Sequence, residues 1–377
     1  MDFKLTEEQQ MLQDTAARLV RDVYTFEKRL EFSASEAGFS TAFWQQLGEL
    51  GLTAIPFSEE LGGFGGTGVE TMLIMEQFGR GICLEPYMES VVLAGGLIGQ
   101  LGNDQQKEEL LGAIASGELQ AAVALEELHS HYVLNDVQST AKQNGSSWTV
   151  SGRKGVVIGG HTAGKILVSA RTAGDVRDQQ GISLFIVDPN AAGVTRRVYA
   201  TADGRKGCEL FLDNVQGELL GDAGDAYDAI RYQSGRAIAA LCGEAVGAMR
   251  TACDLTLDYL KTRKQFGQPI GKFQVLQHRM VDMISELERA TSMAILAACL
   301  ADDDDSEERT AKLAAAKFIV NRAARAVAEQ SIQLHGGIAM TWEYNGAHYA
   351  KRLVMISHQF GDDDHHLEAY ANQLVVA

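Results

Sequence analysis

The sequence predicts an α+β protein in three consecutive parts: a helical domain over residues 1–120, an antiparallel β domain over 121–222 and a four-helix bundle over 223–377. Three observations carry this. Apolar residues recur at helical spacing through the first part, short β-like runs bounded by turn residues fill the second, and long Ala-rich helical patterns occupy the third. A chain of 377 residues is two to three times the usual domain length and is long enough to bury a sizeable core.

In the first part Thr6 is placed to cap a helix that opens Glu7-Glu8-Gln9-Gln10 and carries Leu12, Ala16, Leu19 and Val20 on one face. Phe43, Leu47 and Leu50 repeat the spacing, and the Gly-rich break from Leu61 to Thr67 separates helices. Further helices are expected over 69–78 and 105–115, the latter capped by Asn103-Asp104.

In the second part the strand candidates are 147–151, 165–171, 182–188, 194–199 and 209–213. Asn144-Gly145, Gly152, Gly159-Gly160 and Pro189-Asn190 bound them as turns, and with no helix between strands a small barrel or sandwich is expected. In the third part helical patterns over 225–264, 274–301, 307–334 and 349–358 exceed the usual globular length. Small residues such as Ala237, Ala240, Ala245 and Ala248 suit tight packing. The acidic run from Asp302 to Glu308 reads as a solvated loop whose charges complement the next helix start.

Composition narrows the function classes. Hydrophobic residues at 46% and charged residues at 22% are those of a folded enzyme and exclude disorder as the main state. Lys and Arg number 33 against 50 Asp and Glu, a net charge of −17 that argues against a nucleic-acid partner. The five cysteines, Cys83, Cys208, Cys242, Cys253 and Cys299, are an odd number without a CxxC and read as structural thiols in a reducing compartment. The first residues are charged from Asp2 without an apolar leader core, and no window is apolar enough to span a bilayer, so a soluble, cytoplasmic protein is expected.

No Walker loop, HExxH, GxSxG or strand-borne GxGxxG is present. His129, His131 and the pair His365-His366 lack a third ligand at fixed spacing, so no metal site is expected. Two Gly-rich corners say more. After a helix ending in basic residues, Arg263, Phe266-Gly267, Pro269, Phe273 and Gln274 turn the chain into the next helix, whose free N–H groups together with the Arg263 fork suit a pyrophosphate. The alternative is an Arg capping the preceding helix and a Phe in the core. The second corner, Gln333-Leu334-His335-Gly336-Gly337, either stops a helix or lets backbone approach a ligand closely.

Together with the helical, β, helical order, the stretches LTEEQQMLQDTAARLVRD, LGGFGGTG, RKQFGQPIGKFQVLQHRMVDM and QLHGGIAMTWEY resemble the acyl-CoA dehydrogenase family over essentially the whole chain. DYLKTRKQFG, ALCGEAVGAM and QFGDDDHHL are similar to the small subunits of pimeloyl-CoA dehydrogenases and the β subunits of heteromeric steroid side-chain dehydrogenases. The resemblance implies an FAD enzyme that dehydrogenates the α and β carbons of an acyl-CoA thioester. A carboxylate takes the α proton, flavin N5 takes the β hydride, and an electron-transferring flavoprotein reoxidises the flavin. It also implies a flavin shared between subunits: one chain's β domain holds the isoalloxazine, and its neighbour holds the pyrophosphate and adenosine.

Residue by residue, Arg263, Phe266 and Gln274 match the family's contacts to the neighbour's pyrophosphate and adenine ribose, and Gln333, Gly336 and Gly337 match its QxxGG loop. The other half departs from the pattern. Glu126 stands for the hydroxyl that faces the flavin, Val156-Val157-Ile158 replaces Trp-Ile-Thr, and Phe360, ahead of Gly361, occupies the usual position of the catalytic Glu. The alternative base position aligns with Ala237-Ile238. Glu244, two helical turns on, is the in-chain candidate base, with an ion pair to an Arg across a subunit interface as its other reading, and Asp362 and Asp363 come next. Lys154, Arg153 and Arg236 are candidate positives for CoA.

Three functions are therefore expected in order. The first is a subunit that completes the FAD site of a second acyl-CoA dehydrogenase subunit in a heterotetramer; the second is a self-sufficient homo-oligomer using Glu244; the third is a non-catalytic structural subunit.

Overall fold

The computed structural model describes residues 4–376; residues 1–3, where the charged N-terminal stretch begins, and 377 lie outside it. Four helices lead, α1 (Glu7–Val23), α2 (Phe26–Ala34), α3 (Thr41–Glu49) and α4 (Gly68–Gly81). A π-helical stretch, Met88–Gly95, continues into α5 (Gly96–Leu101), and a second, Lys107–Leu111, joins α6 (Asp104–Gln106) to α7 (Gly112–Ala115). Seven strands follow: β1 (Ala121–Ala124), β2 (Thr140–Asn144), β3 (Ser147–Ile158), β4 (Lys165–Arg171), β5 (Ile182–Val187), β6 (Val194–Ala200) and β7 (Lys206–Leu220). The chain ends with α8 (Tyr227–Thr262), the two-residue strands β8 (Lys264–Gln265) and β9 (Gln268–Pro269), α9 (Gln274–Leu300), α10 (Glu307–His335), α11 (Asn345–Ile356) and α12 (Asp363–Val376). The helical, β, helical order of an α+β chain is present. Contacts divide it into two compact units, one of residues 1–30, 67–83 and 238–377, the other of residues 31–66 and 84–237.

In the first unit Thr6 and Gln9 form a reciprocal capping box at the start of α1, and Ala16 and Val20 bury its inner face. Thr67 and Glu70 do the same for α4, whose Leu73, Ile74, Met75 and Phe78 are buried. Helices α4 and α8 meet at backbone distance. A Cβ on Gly79 would stand 1.9 Å from the Glu244 carbonyl oxygen, and one on Gly247 would stand 1.8 Å from that of Glu76, so neither position accepts a side chain. Ala239, Ala297, Ala301, Leu313 and Ala316 form a core of small residues among α8, α9 and α10. Ser306 caps α10, and Asp302 accepts a hydrogen bond from Gly68 N–H at the start of α4, so the acidic run is partly a capping device.

The fourth segment of the expected bundle begins at Asn345 rather than 349, and α12 adds a fifth helix. The polar tract there still folds as a helix: Asp363 and Asp364 occupy its first turn, and Asp362 accepts from His365 N–H.

In the second unit the seven strands form one sheet in the order β1-β4-β2-β3-β7-β5, with β6 on β7 and β5 also pairing β4. The sheet is not wholly antiparallel, because β1 runs parallel to β4. Gly152 lies inside β3 rather than ending it: the register shifts there, and a side chain would meet Ser139 Oγ at 2.2 Å. Val150, Val157, Ile166, Val168, Phe185 and Leu210 fill the core of this sheet.

Candidate functional site

The loop between β1 and β2 places Glu126 and Glu127 in opposite circumstances. Lys154, wholly buried on β3, donates to Glu127 Oε1 at 2.7 Å, to Ser169 Oγ at 3.0 Å and to the Leu125 carbonyl at 3.3 Å. Glu127 also accepts from the Ser139 and Gln138 N–H groups, each at 3.0 Å. Burial pushes the Glu127 carboxyl up, but the Lys154 charge and these hydrogen bonds outweigh it and hold the group below its ordinary value. Lys154 is thus the internal anchor of the loop and not a surface cation for CoA. Arg153 is also engaged, in an ion pair with Glu209 at 3.0 Å.

The Glu126 carboxylate meets no cation or hydrogen-bond donor among the described residues. Its backbone carbonyl accepts from Gly155 N–H at 2.9 Å, which pins it beside the end of β3. Burial pushes its carboxyl up to about 7. Beyond Gly155, Val156 is exposed, Val157 is in the core and Ile158 is half-buried. Leu128 from the loop leans over Gly155, its Cδ2 3.2 Å from where a Cβ would stand.

In the first unit the chain leaves α8 through a hairpin in which β8 and β9 flank a two-residue turn, Phe266-Gly267. Both turn residues have positive φ, 52° and 77°, a conformation that costs a non-glycine residue. Phe266 is nonetheless a phenylalanine and is 89% exposed, its ring T-shaped to that of Phe273 at a centroid distance of 5.9 Å. Arg263 and Gln274 are exposed as well, and neither side chain has a hydrogen bond or ion pair among the described residues. Phe273 supplies no capping side chain to α9, so amides of its first turn remain available to a ligand.

The second Gly-rich corner ends α10. Gly336 has φ 68° and ψ −146°, which a side chain disfavours, and a Cβ on Gly336 or Gly337 would meet nothing within 4 Å. Gln333 is exposed one turn earlier, while His335 is buried, donating from Nδ1 to the Ser331 carbonyl (2.7 Å) and packed between the rings of Tyr259 and Tyr344. The first corner therefore offers N–H donors at the start of α9, and the second offers open glycine backbone at the end of α10.

Glu244 is 4% exposed and Arg352 2%. Arg352 Nε donates to Glu244 Oε1 at 2.6 Å and its NH2 group to Oε2 at 2.7 Å, so both carboxylate oxygens are engaged by one guanidinium. Phe360, with φ 56°, precedes Gly361, whose backbone abuts the His366 ring. The end of α11 just before them is tied down from within α10. Buried Lys317 donates to the Ile356 carbonyl at 2.8 Å and to Asn321 Oδ1 at 2.7 Å, and Asn321 donates to the Ser357 carbonyl at 3.2 Å. Burial pushes Lys317 down to about 8. Asp363 pairs with Arg325 at 3.1 Å, and Asp362 caps α12.

The sequence reading named Glu244 and Lys154 but neither of their partners, and it missed Lys317. Arg352 lies 108 residues from Glu244, and Glu127 lies 27 from Lys154, so no local spacing announces either pair. No group of three or more His, Cys, Asp or Glu among the described residues is placed to hold a metal ion. No described helix is long and apolar enough to cross a membrane.

Comparison with known proteins places this three-part chain, a β sheet between helical segments, in a class of flavin-dependent oxidoreductases. Sequence profiles of the acyl-CoA dehydrogenase N-terminal, middle and C-terminal domains match residues 6–118, 122–215 and 231–375. A probable acyl-CoA dehydrogenase of Bacillus subtilis, YngJ, is 31% identical over 354 residues, which cover 91% of this chain and 92% of the relative. The solved Tcur3481-Tcur3483 steroid acyl-CoA dehydrogenase variant includes a chain that is 28% identical, with a TM-score of 0.89 over 98% of each chain. The fold is shared too with the ChsE4-ChsE5 complex of Mycobacterium tuberculosis, TM-score 0.89 over all of each chain at 24% identity.

The chain belongs to the acyl-CoA dehydrogenase family, FAD-dependent oxidoreductases that act on CH–CH bonds. The residues fit that cofactor unequally. The Arg263 corner has a charge and uncapped amides at the start of α9 and the α10 corner has open glycines, as an adenosine diphosphate requires, whereas the β3 end offers Val156, Ile158 and an unpaired carboxylate where a flavin ring would need donors and a flat wall.

Proposed function

We propose that this chain is the flavin-completing small subunit of a heteromeric acyl-CoA dehydrogenase, in the branch of the pimeloyl-CoA small subunits and the steroid side-chain β subunits. One observation carries the reading: the Phe266-Gly267 turn holds a large aromatic in a strained backbone conformation and exposes it fully, beside Arg263 and Gln274. A folded chain gains nothing from that arrangement by itself. A ligand that rests on Phe266 and is anchored by charge gives it a purpose.

In this reading Arg263 and the start of α9 bind the pyrophosphate, Phe266 and Gln274 contact the adenosine, and Gln333, Gly336 and Gly337 lay backbone along it. FAD, when bound, supplies the two-electron acceptor for α,β-dehydrogenation of an acyl-CoA. The partner subunit supplies the base and the isoalloxazine pocket, and an electron-transferring flavoprotein takes the electrons onward. Glu244 is a structural residue here: it is buried, and Arg352 holds both of its oxygens in a bidentate ion pair.

The test is the flavin absorbance of the chain purified alone and after co-expression with a companion acyl-CoA dehydrogenase chain from the same source. The expected result is a colourless lone chain and one FAD per pair in the complex, lost in Arg263→Ala. A yellow lone chain with one FAD each refutes the reading, and a complex whose FAD content and activity ignore Arg263→Ala reduces the chain to a scaffold.

A further inference from the structure

We infer that the Glu126 carboxylate keeps FAD off this chain's own β domain face. The inference rests on the reading above, which aligns that face with the isoalloxazine side of the family, and it names the residue that decides it.

The geometry separates Glu126 from its neighbour. Glu127 has a lysine and two backbone amides; Glu126, half-buried one residue earlier, has no such partner among the described residues. Its carbonyl is fixed to Gly155 N–H, so the backbone of Glu126 is held beside the end of β3. The titratable groups of the surrounding strands do not compensate it. Lys154 on β3 is committed to Glu127. Tyr199 on β6 donates its hydroxyl to the Gly155 carbonyl at 3.2 Å. On β7, Cys208 is a buried thiol and Glu209 is paired with Arg153. Laying an aromatic ring system over this position strips water from an anion and returns no hydrogen bond.

Protonated, the same group becomes a donor, as the hydroxyl it replaces would be. Its environment puts that switch within reach, since burial holds the carboxyl near 7. About nine-tenths of it is neutral at pH 6 and roughly 3% at pH 8.5, so if only the neutral form admits the ring, apparent affinity falls about 30-fold between them.

The experiment titrates FAD into the purified full chain at pH 6.0 and 8.5 for the wild type, Glu126→Gln and Glu126→Thr. Flavin fluorescence is read for FAD and, in parallel, for riboflavin, which lacks the adenosine diphosphate and so reports burial of the ring alone, with circular dichroism as the folding control. Expected are at least tenfold tighter quenching by both variants than by the wild type at pH 8.5, and a pH dependence confined to the wild type. A wild type that binds added FAD at pH 6.0 and loses it at 8.5 while the variants retain it supports the role of Glu126. Folded variants that bind no better than the wild type overturn the inference and leave the half-site reading standing. A wild type carrying one FAD per chain at both pH values overturns both.

Discussion

Glu244→Gln tests whether that residue is a structural anchor or a base. The substitution keeps the shape and removes the charge opposite a guanidinium that is 2% exposed. Deleting one side of a buried ion pair costs about 3–5 kcal/mol, because the remaining charge stays desolvated. The pair lies in the unit of roughly 190 residues formed by 1–30, 67–83 and 238–377. At about 2.1 cal/mol/K of unfolding entropy per residue, that loss lowers its Tm by about 8–13 °C. Arg352→Met should cost a similar amount, while Glu244→Met/Arg352→Met, which replaces both charges with apolar volume, should recover most of it. Differential scanning calorimetry of these proteins, with Glu244→Met closing the cycle, measures the coupling, and turnover of the FAD-loaded enzyme is followed in parallel. A Glu244→Gln protein that melts within 2 °C of the wild type but has lost dehydrogenation would refute the structural assignment and restore Glu244 as the base.

Phe266→Gly removes a side chain from a left-handed turn and should stabilise the hairpin by about 1 kcal/mol while lowering FAD retention at least tenfold; urea melts and flavin content read the two effects in opposite directions. Gly247→Ala drives a methyl into the Glu76 carbonyl and should destabilise by several kcal/mol or prevent soluble expression, whereas Gly337→Ala, in open space, should leave the melting temperature unchanged. Lys317 is held near 8, below its unfolded value of about 10.4, so the unfolded chain binds more protons between those values and stability should rise with pH across that window; Lys317→Met should abolish the rise in pH-dependent urea midpoints.

The caps and the amphipathic faces were legible in the sequence because they are local. Thr6 with Gln9 and Asn103 with Gln106 are written within four residues, and the strand at 165–171 was readable end to end. Strand β1 was not, since Ala121-Ala122-Val123-Ala124 is buried on both faces and shows no alternation, and β2 is a polar run whose place in the sheet comes from its neighbours. Helix α12 was hidden by its acids and histidines. At the site, the two corners could be located because glycine marks unusual backbone. Whether a charge is spoken for could not be read, because pairing across long stretches of chain has no sequence signature. Lys154 looked like a surface cation until its burial beneath Glu127 was seen.

The composition of the first unit from distant stretches of chain has a consequence for how the protein is made. Helix α4 emerges from the ribosome carrying Leu73, Ile74, Met75 and Phe78, but the glycines of α8 that it packs against lie more than 160 residues downstream. At synthesis rates of about 5–20 residues per second, that interval lasts roughly 10–30 s. During it the apolar face of α4 has no native cover from α8, while residues 84–237, contiguous in sequence, can already collapse around their sheet. The β-containing unit is thus set to fold first, and the early helices must be kept from aggregating until the last third of the chain arrives to receive them.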